Sequence, residues 1–163
     1  MPNWCEGTMK LRGRAKDILR FFHEGLDAST WLGGEKIEDQ VFDKSGEGEI
    51  YFEFKNEPHI KGTRRAFITG NDVYCYYDGK EEEDIVACVN VKQAWAFAAD
   101  DGGDLKKWQE ISNEYNVDIR LFGIEMGMEF TNEVIIVRGK KPIVNEKQYE
   151  DWMWECPFPN MGG

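Results

Sequence analysis

The amino-acid sequence predicts an α+β fold, in the form of a ferredoxin-like antiparallel sheet with two main helices on one face. The chain opens with a strand pattern that is apolar on one face and polar on the other, as in an antiparallel sheet covered on one side only. Two segments of helical periodicity then alternate with further strand patterns, which is typical of an α+β sheet. An inserted β-hairpin region and a short C-terminal helix complete the prediction.

The length and composition of the chain favour a single domain. Its 163 residues are 41% hydrophobic and 13% aromatic, which is sufficient for one buried core. We therefore predict one ferredoxin-like domain over residues 1–163, with an acidic insertion at residues 27–84.

The first predicted strand covers residues 1–13 and is followed directly by a helix. One face of the strand holds Cys5, Met9 and Leu11. The other face holds Trp4, Glu6, Thr8, Lys10 and Arg12. The helix is indicated by apolar residues at helical spacing, and it should end near Gly25. Its apolar positions are Ala15, Ile18, Leu19, Phe22 and Leu26.

The middle of the chain predicts a long excursion followed by short strands. Residues 27–48 are rich in glycine and acidic residues, which is typical of a loop. Strand patterns follow at residues 50–54 and 65–69. Residues 73–77 and 85–91 have the composition of two hairpin arms.

A second helix and a meander of strands are predicted after the hairpin. Asp104 is a suitable N-cap, and the apolar face of the helix ends near Asn116. Alternating patterns then predict strands at residues 117–121, 126–130 and 134–137.

The end of the chain predicts a short capped helix. Asn145 fits the N-cap position and Gln148 the third helical position, as in a capping box. Val144 and Tyr149 would form the flanking hydrophobic staple. Trp152 and Met153 would lie on the same side of this helix as Tyr149.

The start of the chain combines a tryptophan and a cysteine in a specific pattern, formed by Met1, Asn3, Trp4, Cys5 and Gly13. This pattern resembles the Met-x-Asn-Trp-Cys start of phage and plasmid proteins with a YubB-type ferredoxin-like domain. Looser matches further along the chain are Trp95, Glu125, Gly127, Phe130 and Gly139. The resemblance covers residues 1–28 and 85–139. It implies a ferredoxin-like fold and a mobile-element origin, but no particular activity.

Two features depart from the family pattern. Trp95 stands in Gln93-Ala94-Trp95-Ala96, where the family usually has a segment that contains proline. The acidic middle of the chain has no family counterpart. The resemblance therefore leaves the role of the acidic middle open.

The chain is strongly acidic. It has 31 Asp and Glu residues against 20 Lys and Arg, which gives a net charge of −11. This charge opposes attraction to phosphate backbones and anionic membranes, and it favours a basic partner. Neither an export signal nor a membrane span is predicted. We therefore expect the protein in the cytoplasm of a bacterial host, where cysteines are reduced.

Two interpretations of the cysteines are open. The fold could bring Cys5, His23 and Cys156 together as ligands of a structural zinc ion, because zinc ligands need not be close in sequence. Alternatively, the cysteines are small buried apolar residues, which is a common role for this residue type, and the protein has no cofactor.

Acidic residues cluster in two stretches, which predict a partner-binding site. The predicted residues are Glu81, Glu82, Glu83, Asp84, Asp100, Asp101 and Asp104. The first four lie in the predicted hairpin loop and the last three near the start of the second helix. One strand separates the two stretches, so we expect them at opposite ends of that strand. The alternative is a solvated acidic face without a partner.

The function hypothesis follows from the charge pattern and the motif search. The sequence contains no zinc-protease, nucleophile-elbow or P-loop motif. Together with the resemblance to phage proteins, this favours a non-enzymatic protein that binds and inhibits a host nucleic-acid-handling defence protein. The concrete version is an anti-CRISPR-like inhibitor of an RNA-guided nuclease.

Two other classes of function remain open. One is a carboxylate-dependent enzyme, since so many acids always allow a close pair. The other is a direct nucleic-acid binder that uses a basic patch in the first part of the chain. The residues of this patch are Lys10, Arg12, Arg14, Lys16, Arg20, Lys61, Arg64 and Arg65.

Overall fold

Two antiparallel sheets form the framework of the protein in a computed structural model, which describes residues 3–28, 36–98 and 103–160. The strands are β1 (Trp4–Arg14), β2 (Leu26–Asp27), β3 (Val41–Asp43), β4 (Glu49–Phe54), β5 (His59–Ile60), β6 (Ala66–Thr69), β7 (Asp72–Tyr76), β8 (Asp84–Ala94), β9 (Asp118–Glu125), β10 (Phe130–Ile136) and β11 (Ile143–Gln148). The helices are α1 (Ala15–Glu24), α2 (Gly103–Glu114) and α3 (Trp152–Glu155), with a 3₁₀ turn at Ile37–Asp39.

The larger sheet has the strand order β11-β10-β9-β1-β8-β6-β5-β2. Each pair of neighbouring strands in it is antiparallel. β1 lies inside this sheet, where it pairs with β8 along its whole length and with β9 on its other side. The smaller sheet has the order β3-β4-β7. The hairpin predicted from residues 73–77 and 85–91 is therefore wrong, because β7 pairs with β4 in the smaller sheet while β8 pairs with β1 and β6 in the larger one.

One face of the larger sheet is buried, because its strands alternate between apolar and polar residues. Met9 and Leu11 of β1 are fully buried, and Val89 of β8 lies opposite Met9. Phe22 of α1 and Trp108 of α2 belong to the same core. We call this buried side the inner face of the larger sheet.

The smaller sheet closes this core from the side of α1. The ring centroid of Phe52 in β4 lies 5.4 Å from that of Phe22 in α1, and Ile50 and Val73 are buried in the same core. Much of the predicted acidic insertion therefore forms a layer that covers the core.

The opposite, outer face of the larger sheet is covered at one end. Ile124 pairs with Glu6, whose side chain points away from the core, so Ile124 also points outward. It is nevertheless buried, because the C-terminal residues Tyr149, Trp152 and Cys156 pack against it. These four apolar residues form a second, smaller cluster.

The predicted α+β class with antiparallel sheets is confirmed. The described ranges contain eleven strands, more than a simple ferredoxin-like fold has. β1 and α1 are close to their predicted positions, and the backbone N–H of Gly25 caps α1 by donating to Phe21 O at 2.8 Å. None of the helices in these ranges has the length and apolar character needed to cross a bilayer.

The predicted helix start at Asn145 is wrong. This segment forms β11, in which Val144 pairs with Val134 and the Asn145 side chain donates to Glu133 at 3.0 Å. The six residues of β11 pair with β10, and this pairing outweighs the local preference for a helix start. The C-terminal helix begins instead at Trp152.

The strand predicted at residues 126–130 is also wrong, because only Phe130 of these residues belongs to a strand. The Glu125 carboxylate accepts hydrogen bonds from the backbone N–H groups of Gly127 and Met128, at 2.9 Å and 2.6 Å. These bonds close a turn, so β10 begins only at Phe130. Met126 and Met128 are consequently exposed.

Candidate partner-binding surface

The smaller sheet buries one face and exposes the other. Its buried face contributes apolar side chains to the core, as the alternating burial along β4 and β7 shows. The residues that point outward are Phe42, Glu49, Tyr51, Glu53, Asp72, Tyr74 and Tyr76. We call this surface the tyrosine face.

The register of the sheet places aromatic rings and carboxylates side by side. Tyr51 lies opposite Tyr74, and their ring centroids are 6.1 Å apart in an edge-to-face arrangement. Tyr76 lies opposite Glu49. Tyr74 is 57% exposed and Tyr76 is 70% exposed, so both rings present most of their surface to solvent.

Hydrogen bonds hold two of the tyrosines to carboxylates. Tyr51 Oη donates to Glu53 at 2.7 Å, and Tyr74 Oη donates to Glu49 at 3.3 Å. The bond to Glu53 raises the pKa of Tyr51, while a hydrogen bond from Lys44 lowers the pKa of Glu53. At neutral pH the phenols therefore remain protonated and the Glu53 carboxylate ionised.

A shallow depression lies at one edge of the tyrosine face. Its volume is about 250 Å³. It is lined by Phe42, Tyr51, Glu53, Phe54, Lys55, Asn71 and Asp72. A side chain from another molecule could enter it between an aromatic ring and a carboxylate.

The tyrosine face has the chemistry to recognise cations. Tyrosine rings attract Lys and Arg through cation–π contacts, and carboxylates form charge-assisted hydrogen bonds with the same groups. Tyrosine is also enriched at the centres of protein interfaces, because it offers a large rigid surface with a polar end. The arrangement therefore suits a basic protein surface.

Part of the predicted acidic loop makes contacts with other residues of the same chain. Glu82 pairs with Lys16 and accepts a hydrogen bond from Arg14 at 2.9 Å, and these two contacts lower the pKa of Glu82. The carbonyls of Glu83 and Glu81 accept the backbone N–H groups of Ala15 and Lys16, at 2.9 Å and 3.1 Å. The loop thus holds the start of α1.

The four acids of this loop are all exposed, but they differ in their contacts. The side chains of Glu81 and Glu83 are exposed. Asp84 begins β8 and lies opposite Arg14 in the register. The side chains of Glu81 and Glu83 can therefore contact a partner while the contacts that position α1 stay intact.

Of the second predicted acidic stretch, Asp104 lies near the other end of β8, beside Arg64 and Trp95. Asp104 is 5% exposed and accepts a hydrogen bond from Arg64 at 3.3 Å. The Arg64 guanidinium lies over the Trp95 ring, 4.8 Å from its centroid. Asp100 and Asp101 lie outside the described residues. The structure consequently makes Asp104 part of a local packing arrangement.

The three predicted zinc ligands lie in separate environments. Cys5 is enclosed on the inner face, where a Cβ added at Gly123 would lie 2.7 Å from its Sγ, and burial raises the pKa of Cys5. His23 Nε2 lies 3.0 Å from Asp43. Cys156 is in the second cluster, on the outer face. In the described ranges, no three His, Cys, Asp or Glu side chains form a group that could hold a metal ion.

The basic residues of the first part of the chain are largely paired within the molecule. Arg12 pairs with Asp118 at 2.6 Å. Arg14 pairs with Asp17 at 2.9 Å, and Lys61 lies 3.8 Å from Asp27. Arg20 lies over the Tyr115 ring, 5.4 Å from its centroid. These contacts reduce the positive charge that the predicted basic patch presents to a nucleic acid.

The tyrosine face was missed by the sequence interpretation, although a signal for it exists. In residues 50–54 large apolar residues alternate with Tyr51 and Glu53, and in residues 73–76 Val73 and Cys75 alternate with two tyrosines. One face of each strand is thus polar but rich in rings. The carboxylates of the acidic loop are consecutive in the sequence, whereas those of the tyrosine face are spread over two strands, β4 and β7.

Comparisons with known proteins find no counterpart: no family model, no curated protein and no solved structure matches the chain. The resemblance of the N-terminal motif to phage and plasmid proteins therefore stays a prediction.

Proposed function

We propose that this protein is a non-enzymatic binding protein that docks its tyrosine face onto a basic surface of a host nucleic-acid-handling protein and inhibits it. An anti-CRISPR-like inhibitor of an RNA-guided nuclease is the concrete form of this proposal. The observation that carries it is the pair of largely exposed rings of Tyr74 and Tyr76, in register with tyrosine and carboxylate neighbours on β4.

The position of the tyrosines supports a role in binding rather than in folding. The core side of the same strands is filled by residues such as Phe52 and Val73, so the outward rings of Tyr74 and Tyr76 are not needed to close the core. Large rings that remain exposed side by side are unusual on a soluble surface and mark interaction sites. The net charge of −11 would accelerate the encounter with a basic partner.

We further propose that the centre of the larger sheet is a ferredoxin-like unit. Its adjacent strands β9-β1-β8-β6 and the helices α1 and α2 follow the chain order β1-α1-β6-β8-α2-β9, which is the alternation of a βαββαβ unit. On this view β2 to β5, β7, β10 and β11 are additions. The tyrosine face is then built on an addition, where a common scaffold acquires a new binding function.

A direct nucleic-acid binder is the second candidate, favoured by one observation. The outer face of the larger sheet has a depression of about 340 Å³, to which Lys10, Arg12 and Arg120 contribute. Arg12 and Arg120 are each paired with a carboxylate, which weakens the candidate. A salt-dependent shift of labelled single-stranded DNA or RNA that disappears in Lys10→Glu would favour it.

The test of the main proposal compares two double variants. Wild-type protein, Tyr74→Ala/Tyr76→Ala and the control Ile143→Ala/Val144→Ala, which changes exposed apolar side chains of β11, are immobilised and incubated with host lysate. The partner that the wild type retains is then purified, and its affinity and nuclease activity are measured with each variant. We expect a basic nucleic-acid-handling partner whose affinity falls at least about tenfold in the tyrosine variant. Equal binding by that variant, or a partner that handles no nucleic acid, would overturn the proposal.

A further inference from the structure

The C-terminal segment is anchored to the larger sheet through one of its sides. Tyr149 and Trp152 pack edge to face with ring centroids 5.5 Å apart, and they bury Ile124 together with Cys156. Trp152 Nε1 donates to Pro159 O at 2.9 Å, which draws the last described residues back over the same cluster. The segment is therefore held in place without help from its other side chains.

The other side of this segment presents large apolar residues to solvent. Trp154 is 86% exposed, and Met153 and Phe158 are also exposed. The neighbouring turn adds Met126 and Met128. We call these five residues the C-terminal patch.

Backbone contacts tie the turn and the segment together. The backbone N–H of Tyr149 donates to Glu129 O at 3.0 Å, and the side-chain amide of Gln148 donates to the same oxygen at 3.3 Å. The exposed methionine of the turn, Met128, directly precedes Glu129 in the chain. The two parts of the patch therefore lie at one end of the sheet.

The composition of the patch is that of an adaptable binding surface. A tryptophan exposed to this extent contributes little to folding, whereas tryptophan is the residue type most enriched at the energetic centres of interfaces. Methionine is flexible and polarisable, and it is common on surfaces that accept apolar side chains of varied shape. Five large apolar side chains exposed at one end of the sheet mark an interaction site.

The charges around the patch select the kind of partner. Glu129, Glu150, Asp151 and Glu155 are exposed in or beside it. Lys147, the one cation in residues 146–160, lies over the Tyr149 ring, 4.3 Å from its centroid. Apolar side chains bordered by carboxylates complement a helix that has an apolar face and basic flanks. The same carboxylates oppose an anionic membrane surface.

We infer that the C-terminal patch binds a basic amphipathic helical segment of a partner protein. Trp154 enters between the apolar side chains of that helix, and the four carboxylates pair with its flanking Lys and Arg. The patch lies on the outer side of the larger sheet, whereas the tyrosine face belongs to the layer on the inner side. The two surfaces can therefore be occupied at the same time, and the inference does not depend on the proposed function.

The test uses a synthetic peptide as a probe. The peptide has about 18 residues, or five helical turns, with leucine on one face and lysine on the other. A scrambled peptide of equal composition lacks the apolar face. Calorimetry should show that the amphipathic peptide binds the full chain at least about tenfold more tightly than the scrambled one. Met153→Ala/Trp154→Ala should weaken this binding by about 30-fold, and the control Ile143→Ala/Val144→Ala on β11 should leave it unchanged.

Other outcomes would overturn the inference. Equal affinity for the two peptides would mean that charge alone is recognised. An unchanged affinity in Met153→Ala/Trp154→Ala, with the fold verified by circular dichroism, would place the contact elsewhere. A concentration-dependent dimer that Trp154→Ala abolishes would assign the patch to a second copy of the chain. Binding to anionic vesicles instead of the peptide would assign it to a membrane surface.

Discussion

Tyr51 and Tyr74 face each other across β4 and β7 with their ring centroids 6.1 Å apart, and each donates its hydroxyl to a glutamate on β4. Cross-strand aromatic pairs stabilise a sheet modestly. Here the pair also fixes the direction of both rings and their carboxylates. A surface whose rings are held in place before binding loses less side-chain entropy when a partner arrives.

Truncation of the exposed tyrosines should separate binding from folding. Tyr74→Ala/Tyr76→Ala removes rings that are mainly in solvent, so we expect the unfolding free energy to change by less than about 1 kcal/mol. Binding of the captured basic partner should fall at least about tenfold. Urea denaturation and surface plasmon resonance measure the two quantities on the same preparations. A large loss of stability with unchanged binding would contradict the assignment.

Truncation of Leu11 should destabilise the protein strongly. Leu11 is fully buried on β1, a strand paired on both sides. Leu11→Ala should therefore cost about 2–5 kcal/mol of unfolding free energy, from lost burial and from the cavity left behind. Val86 is exposed on the neighbouring strand, so Val86→Ala is the matched control and should cost less than about 0.5 kcal/mol. Similar costs for the two variants would contradict the assignment of Leu11 to the buried face and of Val86 to the exposed face.

Acid should remove a stabilising contribution of Asp118. Partial burial raises the pKa of Asp118, but hydrogen bonds from Arg12 and Arg138 outweigh burial and leave that pKa below its usual value. A carboxyl whose pKa is lower in the folded state stabilises the fold above its unfolded pKa, which is about 4. This contribution is lost as the pH falls through the lower, folded pKa.

The variant Asp118→Asn isolates this effect. We expect the stability difference between wild type and Asp118→Asn to be largest near neutral pH and to shrink below about pH 4. Urea denaturation at a series of pH values measures it. Asp78 is exposed in the loop between β7 and β8, so Asp78→Asn serves as the control and should show a smaller difference at neutral pH. If the stability difference between wild type and Asp118→Asn were the same at all pH values, Asp118 ionisation would not contribute to stability.

Charge reversal in the acidic loop should act on association rather than on the bound complex. Glu81→Lys/Glu83→Lys changes two exposed side chains while leaving the Glu82 contacts to Arg14 and Lys16 in place. We expect slower association with a basic partner and a weaker dependence of the rate on salt, with a similar dissociation rate. Stopped-flow mixing at several salt concentrations measures these rates. An unchanged association rate at low salt would show that the loop does not steer the partner.

Glu82→Lys is the informative comparison. This change removes the acceptor for Arg14 and Lys16 at the start of α1, so it should lower the thermal midpoint, whereas Glu81→Lys/Glu83→Lys should not. Calorimetric scans distinguish the two variants. Equal midpoints would mean that the backbone bonds from Ala15 and Lys16 to the loop hold α1 without Glu82.

Local pattern was enough to predict some elements but not others. The alternation of β1 and the helical spacing of α1 identify elements whose burial matches their sequence, since Asp17 is the one charged residue buried in either of them. At Asn145 to Gln148 a good capping pattern gave the wrong element. The pairing partner in β10 lies more than ten residues away in the chain, so no local signal reports it.

The sequence by itself determined the fold class, the acidic character and the faces of the regular strands, because these depend on composition and on short periodicities. Only the tertiary structure decided which carboxylates are left for a partner. Glu82 is held by Arg14, 68 residues away, and Asp104 by Arg64, 40 residues away, while Glu49 stays beside exposed rings. Ion pairs between distant segments depend on sheet register and layer packing, which arise only when the whole chain folds.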